Sequence, residues 1–231
     1  MKLGGLQKMT LLDFPGRVAC TVFTVGCNFR CPFCHNSSLV VSPALPEFPQ
    51  DDFFAFLRRR QGLLEGVAIT GGEPLLHPDM PEFLEKIRAL GYAVKLDTNG
   101  AFPDRLEAIL KAGLADYIAM DVKNSREKYE LTAGVTGILP AVERSVDILK
   151  NGNIPFEFRT TLVDELHEPE DFAAIGQWIA GTERYFLQGF VDSGDILAGS
   201  YAFHAASPEK AKACLEAVRL FVPSAQLRGI E

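Results

Sequence analysis

An α/β fold is predicted by three features of the sequence. Six short apolar segments rich in β-branched residues recur along the chain, amphipathic helical stretches lie between them, and polar motifs sit where the apolar segments end. Such alternation argues for a parallel sheet with right-handed crossovers. Six units fit an open, partial (β/α)6 barrel of the TIM type, with a doubly wound sheet as the alternative. In either arrangement ligands gather at the C-terminal ends of the strands.

Residues 1–16 read as a leader that turns at Phe14-Pro15-Gly16. The first strand is expected over 17–25 (RVACTVFTV), a β-branched run. Three prolines in 42–49 mark a connection. A helix follows over 51–60, with acids at its start and three arginines at its end, as the helix dipole favours. The strand 66–70 (GVAIT) runs into Gly71-Gly72-Glu73-Pro74, and a helix over 78–90 closes at Gly91. A strand over 93–97 ends in Thr98-Asn99-Gly100, and the helix 103–112 stops at Gly113. The strand 116–120 meets Asp121-Val122-Lys123. A long helix over 137–151 is expected to place Gly152 at its C′ position. The strand 156–163, helix 169–180, strand 184–188 and helix 208–221 complete the pattern. Residues 1–231 then form one domain: a leader to 16, a six-unit core over 17–200, and a C-terminal helix and tail over 201–231.

Composition narrows the function. The chain has 231 residues, 47% hydrophobic and 23% charged, enough for a full core. A net charge of −7 disfavours non-specific nucleic-acid binding. No run of eighteen apolar residues occurs, and none opens the chain, so no membrane association is expected and the protein reads as cytoplasmic.

The densest chemistry lies in Gly26-Cys27-Asn28-Phe29-Arg30-Cys31-Pro32-Phe33-Cys34-His35-Asn36, where three cysteines are spaced C-x3-C-x2-C. Thiolates suit iron–sulfur clusters and zinc. Three of them leave one iron of a cubane open to a ligand. Zinc would need a fourth ligand, and adjacent His35 is poorly placed for one tetrahedron. Cys31-Pro32-Phe33-Cys34-His35 also matches C-x-x-C-H haem attachment, which leaves Cys27 unexplained. A disulfide suits an oxidising compartment better. Cys20 and Cys214 fall in apolar patterns and read as core thiols, so one cluster is expected.

Gly71-Gly72 lets backbone approach a ligand without a Cβ in the way. Glu73 offers a carboxylate suited to an ammonium, although a turn with a solvated acid is an equal reading. Asp97-Thr98-Asn99-Gly100 suggests an Asx-type turn. Lys123 is either a surface cation or a partner for a ligand carboxylate. His77 and His167 read as solvated loop residues, and His204 has no evident partner.

C-x3-C-x2-C after the first strand, with GGE after the second, resembles the radical S-adenosylmethionine (SAM) superfamily. Phe33 and Cys34-His35-Asn36 resemble glycyl-radical-enzyme activating proteins. The opening Leu6-Gln7-Lys8-Met9-Thr10-Leu11-Leu12-Asp13-Phe14-Pro15-Gly16 is similar to the activating proteins of anaerobic ribonucleoside-triphosphate reductase. The resemblance implies a [4Fe–4S] cluster held by Cys27, Cys31 and Cys34, with SAM on the open iron. It implies that Gly71, Gly72 and Glu73 bind the amino group of SAM, that Phe33 and His35 lie near adenine, and that Asn36 lies near the methionyl part. Asp97 and Lys123 would line the SAM site, and Asp97, Thr98 and Asp121 correspond to a monovalent-cation site. The implied reaction is reductive cleavage of SAM, followed by hydrogen abstraction from a glycine Cα of a partner. That partner would be anaerobic ribonucleotide reductase or pyruvate formate-lyase, and a flavodoxin- or ferredoxin-type protein would supply electrons. A small-molecule enzyme such as 7-carboxy-7-deazaguanine synthase is the alternative within the superfamily. Outside it stand a c-type haem carrier and a zinc-binding module. The resemblance runs from about Gly5 to Lys123 and weakly through Phe158-Arg159-Thr160-Thr161; the last third departs from it, and Gln188-Gly189-Phe190-Val191-Asp192 does not match the family's final strand motif.

Overall fold

The computed structural model describes residues 1–41 and 47–230, so most of the connection expected over 42–49 lies outside the described residues. The chain divides into two compact units. One comprises Met1–Asn28, Ser38–Ala119 and Asn153–Pro155, the other Phe29–Ser37, Met120–Gly152 and Phe156–Glu231. The division falls within the cysteine loop, between Asn28 and Phe29.

The first unit holds β1 (Leu3–Thr10), β2 (Ala19–Thr24), β3 (Gly66–Gly71) and β4 (Ala93–Thr98). β1 is antiparallel to β2, with Leu3 opposite Thr24 and Leu6 opposite Val22. β2 runs parallel to β3, pairing Cys20 with Val67 and Thr24 with Gly71, and β3 runs parallel to β4. Because parallel neighbours need a crossover, α2 (Gln50–Arg60) and α3 (Met80–Ala89) separate these strands, and α4 (Pro103–Lys111) follows β4. The short α1 (Ser37–Val41) leaves the cysteine loop. Apolar side chains on two sides of each strand are buried, among them Val22, Val67, Ile69 and Leu96, as a covered parallel sheet requires. Phe53 of α2 stacks on Phe83 of α3 at 5.4 Å.

β5 (Tyr117–Asp121) carries the chain from the first unit into the second. There β6 (Phe156–Leu162), β7 (Tyr185–Gly189) and β8 (Gln226–Arg228) run parallel in that order. The helices are α5 (Tyr129–Ala133), α6 (Leu139–Lys150), α7 (Pro169–Trp178) and α8 (Pro208–Arg219). α8 starts where Ser207 accepts the Lys210 N–H and Pro208 takes the first helical position, the preferred chemistry of a helix start. Gly176 lets α7 approach α8, since a Cβ there would lie 3.1 Å from Val218 and Phe221.

All six expected strands form. Two more do not follow from pattern alone. β1 replaces most of the expected leader: LGGLQKMT has little β propensity, and its backbone is held by pairing with β2. β8 is three residues long, below the length at which alternation can be read. Gly152 does not take the left-handed conformation expected of a C′ glycine; α6 ends at Asn151 with right-handed geometry, and the Gly152 N–H bonds Leu149 O at 3.2 Å. No helix among the described residues is long and apolar enough to cross a membrane.

Cys20 and Cys214 are fully buried. Burial pushes their thiols up to about 12 and about 11. Since the thiolate is the nucleophile, iodoacetamide at neutral pH should spare both residues in folded protein and label both in urea. A mass shift on either cysteine under native conditions would contradict this packing.

Candidate functional site

In the first unit, the turns after β2 and β3 lie against each other. The Glu73 N–H donates to Gly26 O (2.8 Å) and the Gly72 N–H to Thr24 O (2.9 Å). This contact excludes side chains: a Cβ on Gly72 would stand 1.9 Å from Gly26 O, and Gly26 and Gly71 hold φ of +97° and +111°. Glu73, expected to face an ammonium, is 0% exposed. Its Oε1 accepts from the Leu75 N–H and Thr98 Oγ1, both at 2.9 Å, and its Oε2 from the Asn99 N–H at 2.6 Å. The carboxylate thus ties the turn after β3 to the turn after β4. Asn99 continues the tie, its Nδ2 lying 2.9 Å from Asn28 Oδ1 and 3.8 Å from Cys27 Sγ. Asp97 Oδ1 pairs with the buried Lys95 Nζ at 2.5 Å.

In the second unit, the rest of the cysteine loop is held by its backbone. The Arg30 N–H donates to Ala133 O at 2.9 Å, and Gly134 (φ +68°) passes so close to Arg30 O that a Cβ would lie 2.1 Å away. Cys31 is 7% exposed, Cys34 is half-buried, and the Cys34 N–H closes a turn onto Cys31 O at 3.0 Å. The segment after β7 lies along this loop. Leu197 N–H donates to Cys34 O (3.1 Å), Ala198 N–H to Pro32 O (3.0 Å) and Ser193 Oγ to His35 O (3.0 Å). Ser37 Oγ donates to Asp195 Oδ1 at 2.5 Å. Phe33 is buried with its ring edge-on to Phe203 at 6.4 Å. His35 keeps an exposed edge and Asn36 is half-buried.

Lys123 lies in a charged group. Its Nζ is 2.8 Å from Asp121 Oδ2, while Arg159 Nε and a terminal guanidinium nitrogen reach Asp121 Oδ1 at 3.0 and 2.9 Å. Burial opposes ionisation of Asp121, but Arg159 and Lys123 outweigh it and hold the carboxyl well below its usual range. Burial likewise opposes the charge on Lys123, and Asp121, followed by Cys31, keeps the lysine protonated above its ordinary value. Two cations share the Asp121 carboxylate. Loss of water around His35, then the Lys123 charge, lowers the imidazole pKa. Of the residues that the resemblance names for a monovalent cation, Asp97 pairs with Lys95, and Asp121 with Lys123 and Arg159.

Two histidines differ from expectation. His167 is fully buried, not solvated, with Nε2 2.9 Å from Lys123 O and Nδ1 3.2 Å from Val163 O. His77 is half-buried. His204 gains a partner in Glu165, 2.5 Å from its Nδ1. The sequence assigns no role to Asn99 or Arg159, although Asn99 falls in the turn Asp97-Thr98-Asn99-Gly100 and Arg159 in Phe158-Arg159-Thr160-Thr161, a stretch that weakly resembles the family.

None of the five cysteines is in a disulfide, contrary to the disulfide reading. Among the described residues no three His, Cys, Asp or Glu side chains converge on one point as a single metal ion requires. A cubane asks for something different, one thiolate per iron at separate corners. Cys27, Cys31 and Cys34, within eight residues of sequence, supply thiols of the type such a cluster takes.

A model of the radical SAM superfamily matches residues 21–178. A Methanocaldococcus jannaschii protein, provisionally named a glycyl-radical enzyme activating enzyme, is 30% identical over 197 residues, covering 81% of this chain and 79% of its own. The pyruvate formate-lyase-activating enzyme of Listeria monocytogenes is 25% identical over 77% of this chain and 75% of its own. The 7-carboxy-7-deazaguanine synthase of Methanopyrus kandleri is 30% identical over 76% and 74%. Among solved structures, a domain of a pyruvate-formate lyase-activating enzyme from Bacteroides vulgatus aligns with a TM-score of 0.55 at 17% identity, covering 71% of this chain and 99% of that one. Streptococcus suis SuiB bound to S-adenosylmethionine aligns with a TM-score of 0.66 at 13% identity, covering 89% and 49%. These structural likenesses speak to the fold: α/β with a mostly parallel sheet, of the partial TIM type.

Two substitutions test the geometry. Gly72→Ala should cost about 1–3 kcal/mol of stability, because the opposing atom is backbone and cannot rotate away. Asp121→Asn should cost about 2 kcal/mol at neutral pH by leaving Lys123 and Arg159 facing each other. The Asp121 carboxyl titrates lower in the folded state, so its contribution is full above the unfolded value of about 4 and fades as pH falls through the folded value. Urea titrations should therefore show the gap between parent and Asp121→Asn closing in acid.

Proposed function

Because the chain belongs to the radical SAM superfamily, we propose that it is a glycyl-radical-enzyme activase. The superfamily's cofactors, a [4Fe–4S] cluster and S-adenosylmethionine, are those of this enzyme. The observation that carries the finer reading is the match to the Methanocaldococcus jannaschii protein along 81% of the chain, together with Cys34-His35-Asn36 beside the third cysteine. The partner is then a glycyl radical enzyme, either anaerobic ribonucleotide reductase or pyruvate formate-lyase. A flavodoxin- or ferredoxin-type protein in the cytoplasm is the electron source.

Cys27, Cys31 and Cys34 would hold the cluster, which when bound would supply the electron for reductive cleavage of SAM, the reaction that leads to hydrogen abstraction from the partner's glycine. The chain's own residues bind and orient. The Gly71-Gly72 backbone, braced by Glu73, offers polar groups to the amino end of SAM. Lys123 and Arg159, which already meet one carboxylate in Asp121, are cations of the kind that suits its carboxylate. Phe33 and His35 present rings suited to adenine, Asn36 an amide suited to the methionyl part, and Asp97 a carboxylate held by Lys95. None of these groups need move a proton. Their work is positioning and exclusion of water.

A second reading, 7-carboxy-7-deazaguanine synthase, is favoured by the Methanopyrus kandleri relative. Both readings require that reconstituted protein hold about four irons and four sulfides per chain, and that Cys31→Ala lose them. Lys123→Ala should keep the cluster and bind SAM about ten- to a hundredfold more weakly, the worth of one charge-assisted hydrogen bond. The deciding experiment mixes reduced protein, SAM and a glycyl enzyme whose glycines carry Cα deuterium. The activase transfers deuterium to 5′-deoxyadenosine and leaves a glycyl doublet in the electron paramagnetic resonance spectrum of the partner. No transfer to glycyl enzymes, with turnover of 6-carboxy-tetrahydropterin instead, establishes the second reading.

A further inference from the structure

We propose that Asn99 is a positioning residue that tunes the cluster by donating a side-chain N–H to the sulfur of Cys27. The amide nitrogen lies 3.8 Å from Cys27 Sγ, within reach of the long, weak bonds that sulfur accepts. The orientation of this amide follows from its neighbours. Asn99 Oδ1 accepts the Ala101 N–H at 3.0 Å, which fixes the oxygen toward the following turn. The nitrogen must then face the other way, where Asn28 Oδ1 takes one proton at 2.9 Å. An amide nitrogen carries two protons, so the second remains for the thiolate.

The residue is also held from behind. Its own N–H is fixed by Glu73 Oε2 at 2.6 Å, and Gly100 (φ +78°) turns the chain immediately after it. Asn99 is 6% exposed and Glu73 0%, so little water competes for the bond. Hydrogen bonds to the sulfurs are among the factors that set the potential of an iron–sulfur cluster. A donor stabilises the more negative, reduced form. Asn99 therefore makes the cluster easier to reduce than it would be with a bare thiolate at this corner. The path Gly72, Glu73, Asn99, Cys27 also links the turn proposed to meet SAM with one ligand of the cluster.

The inference rests on Cys27 being a cluster ligand and not on the identity of the partner enzyme. Iron analysis of Cys27→Ala separates the two: retention of the full cluster there refutes the ligand reading itself. The test of Asn99 is a redox titration of reconstituted protein without SAM, followed by electron paramagnetic resonance. Asn99→Ala should keep its iron and show an about tenfold lower ratio of reduced to oxidised cluster at fixed potential, about 59 mV for a one-electron couple. Asn99→Asp keeps the shape and the acceptor for Ala101 but replaces the donor with a charge, so its shift should be larger in the same direction. Asn28→Ala leaves Asn99 in place without its orienting acceptor and should shift less. Parental potentials in Asn99→Ala and Asn99→Asp at full iron content would overturn the proposal. So would loss of iron from all three variants, which would assign Asn99 to loop folding alone.

Discussion

The carbonyl of Gly26 and the Cα of Gly72 come together at a distance no side chain can share. That single approach brings the turn after β2, which begins the cysteine loop, against the turn after β3, which carries Glu73. Two backbone hydrogen bonds close it, from Gly72 to Thr24 and from Glu73 to Gly26. With the turns in contact, the Glu73 carboxylate reaches Thr98 and Asn99 after β4. Parallel pairing of β2 with β3 and of β3 with β4 places these three strand ends side by side. The glycines then allow the turns themselves to touch.

Buried charge follows one rule in both units: each ion has an opposite charge or a full set of hydrogen-bond donors. Lys95, 2% exposed, pairs with Asp97. Asp121 stands between Lys123 and Arg159. Glu157, 1% exposed, pairs with Arg228, whose guanidinium also lies 3.6 Å from the Phe186 ring centroid. Glu73 accepts from Leu75, Thr98 and Asn99. An unmatched ion in such positions would cost several kcal/mol.

The cysteine loop is secured mainly through main-chain groups. Carbonyls of Pro32, Cys34 and His35 each receive a donor from residues 193–198, and Arg30 is bonded to Ala133. The backbone that carries the cysteines is thereby fixed. Residues 193–198 carry no recognisable motif, and two of their three bonds to the loop come from backbone N–H groups, which need no particular side chain.

Periodicity and local spacing sufficed for the six strands, most of the helices and the three-cysteine loop, because these depend on neighbours within a few residues. Gly71, Gly72 and Glu73 could be placed at a strand end for the same reason. Spacing could not show that Glu73 is enclosed, that His167 is buried against Lys123, or that Arg159 meets Asp121 from thirty-eight positions away. Nor could it find β1, whose residues have weak strand propensity and depend on β2 for pairing. Such contacts depend on strand register, where a shift of one residue reverses every side chain. Register is settled by packing of the whole chain, so Asn99 comes within reach of Cys27 only once β2, β3 and β4 are aligned.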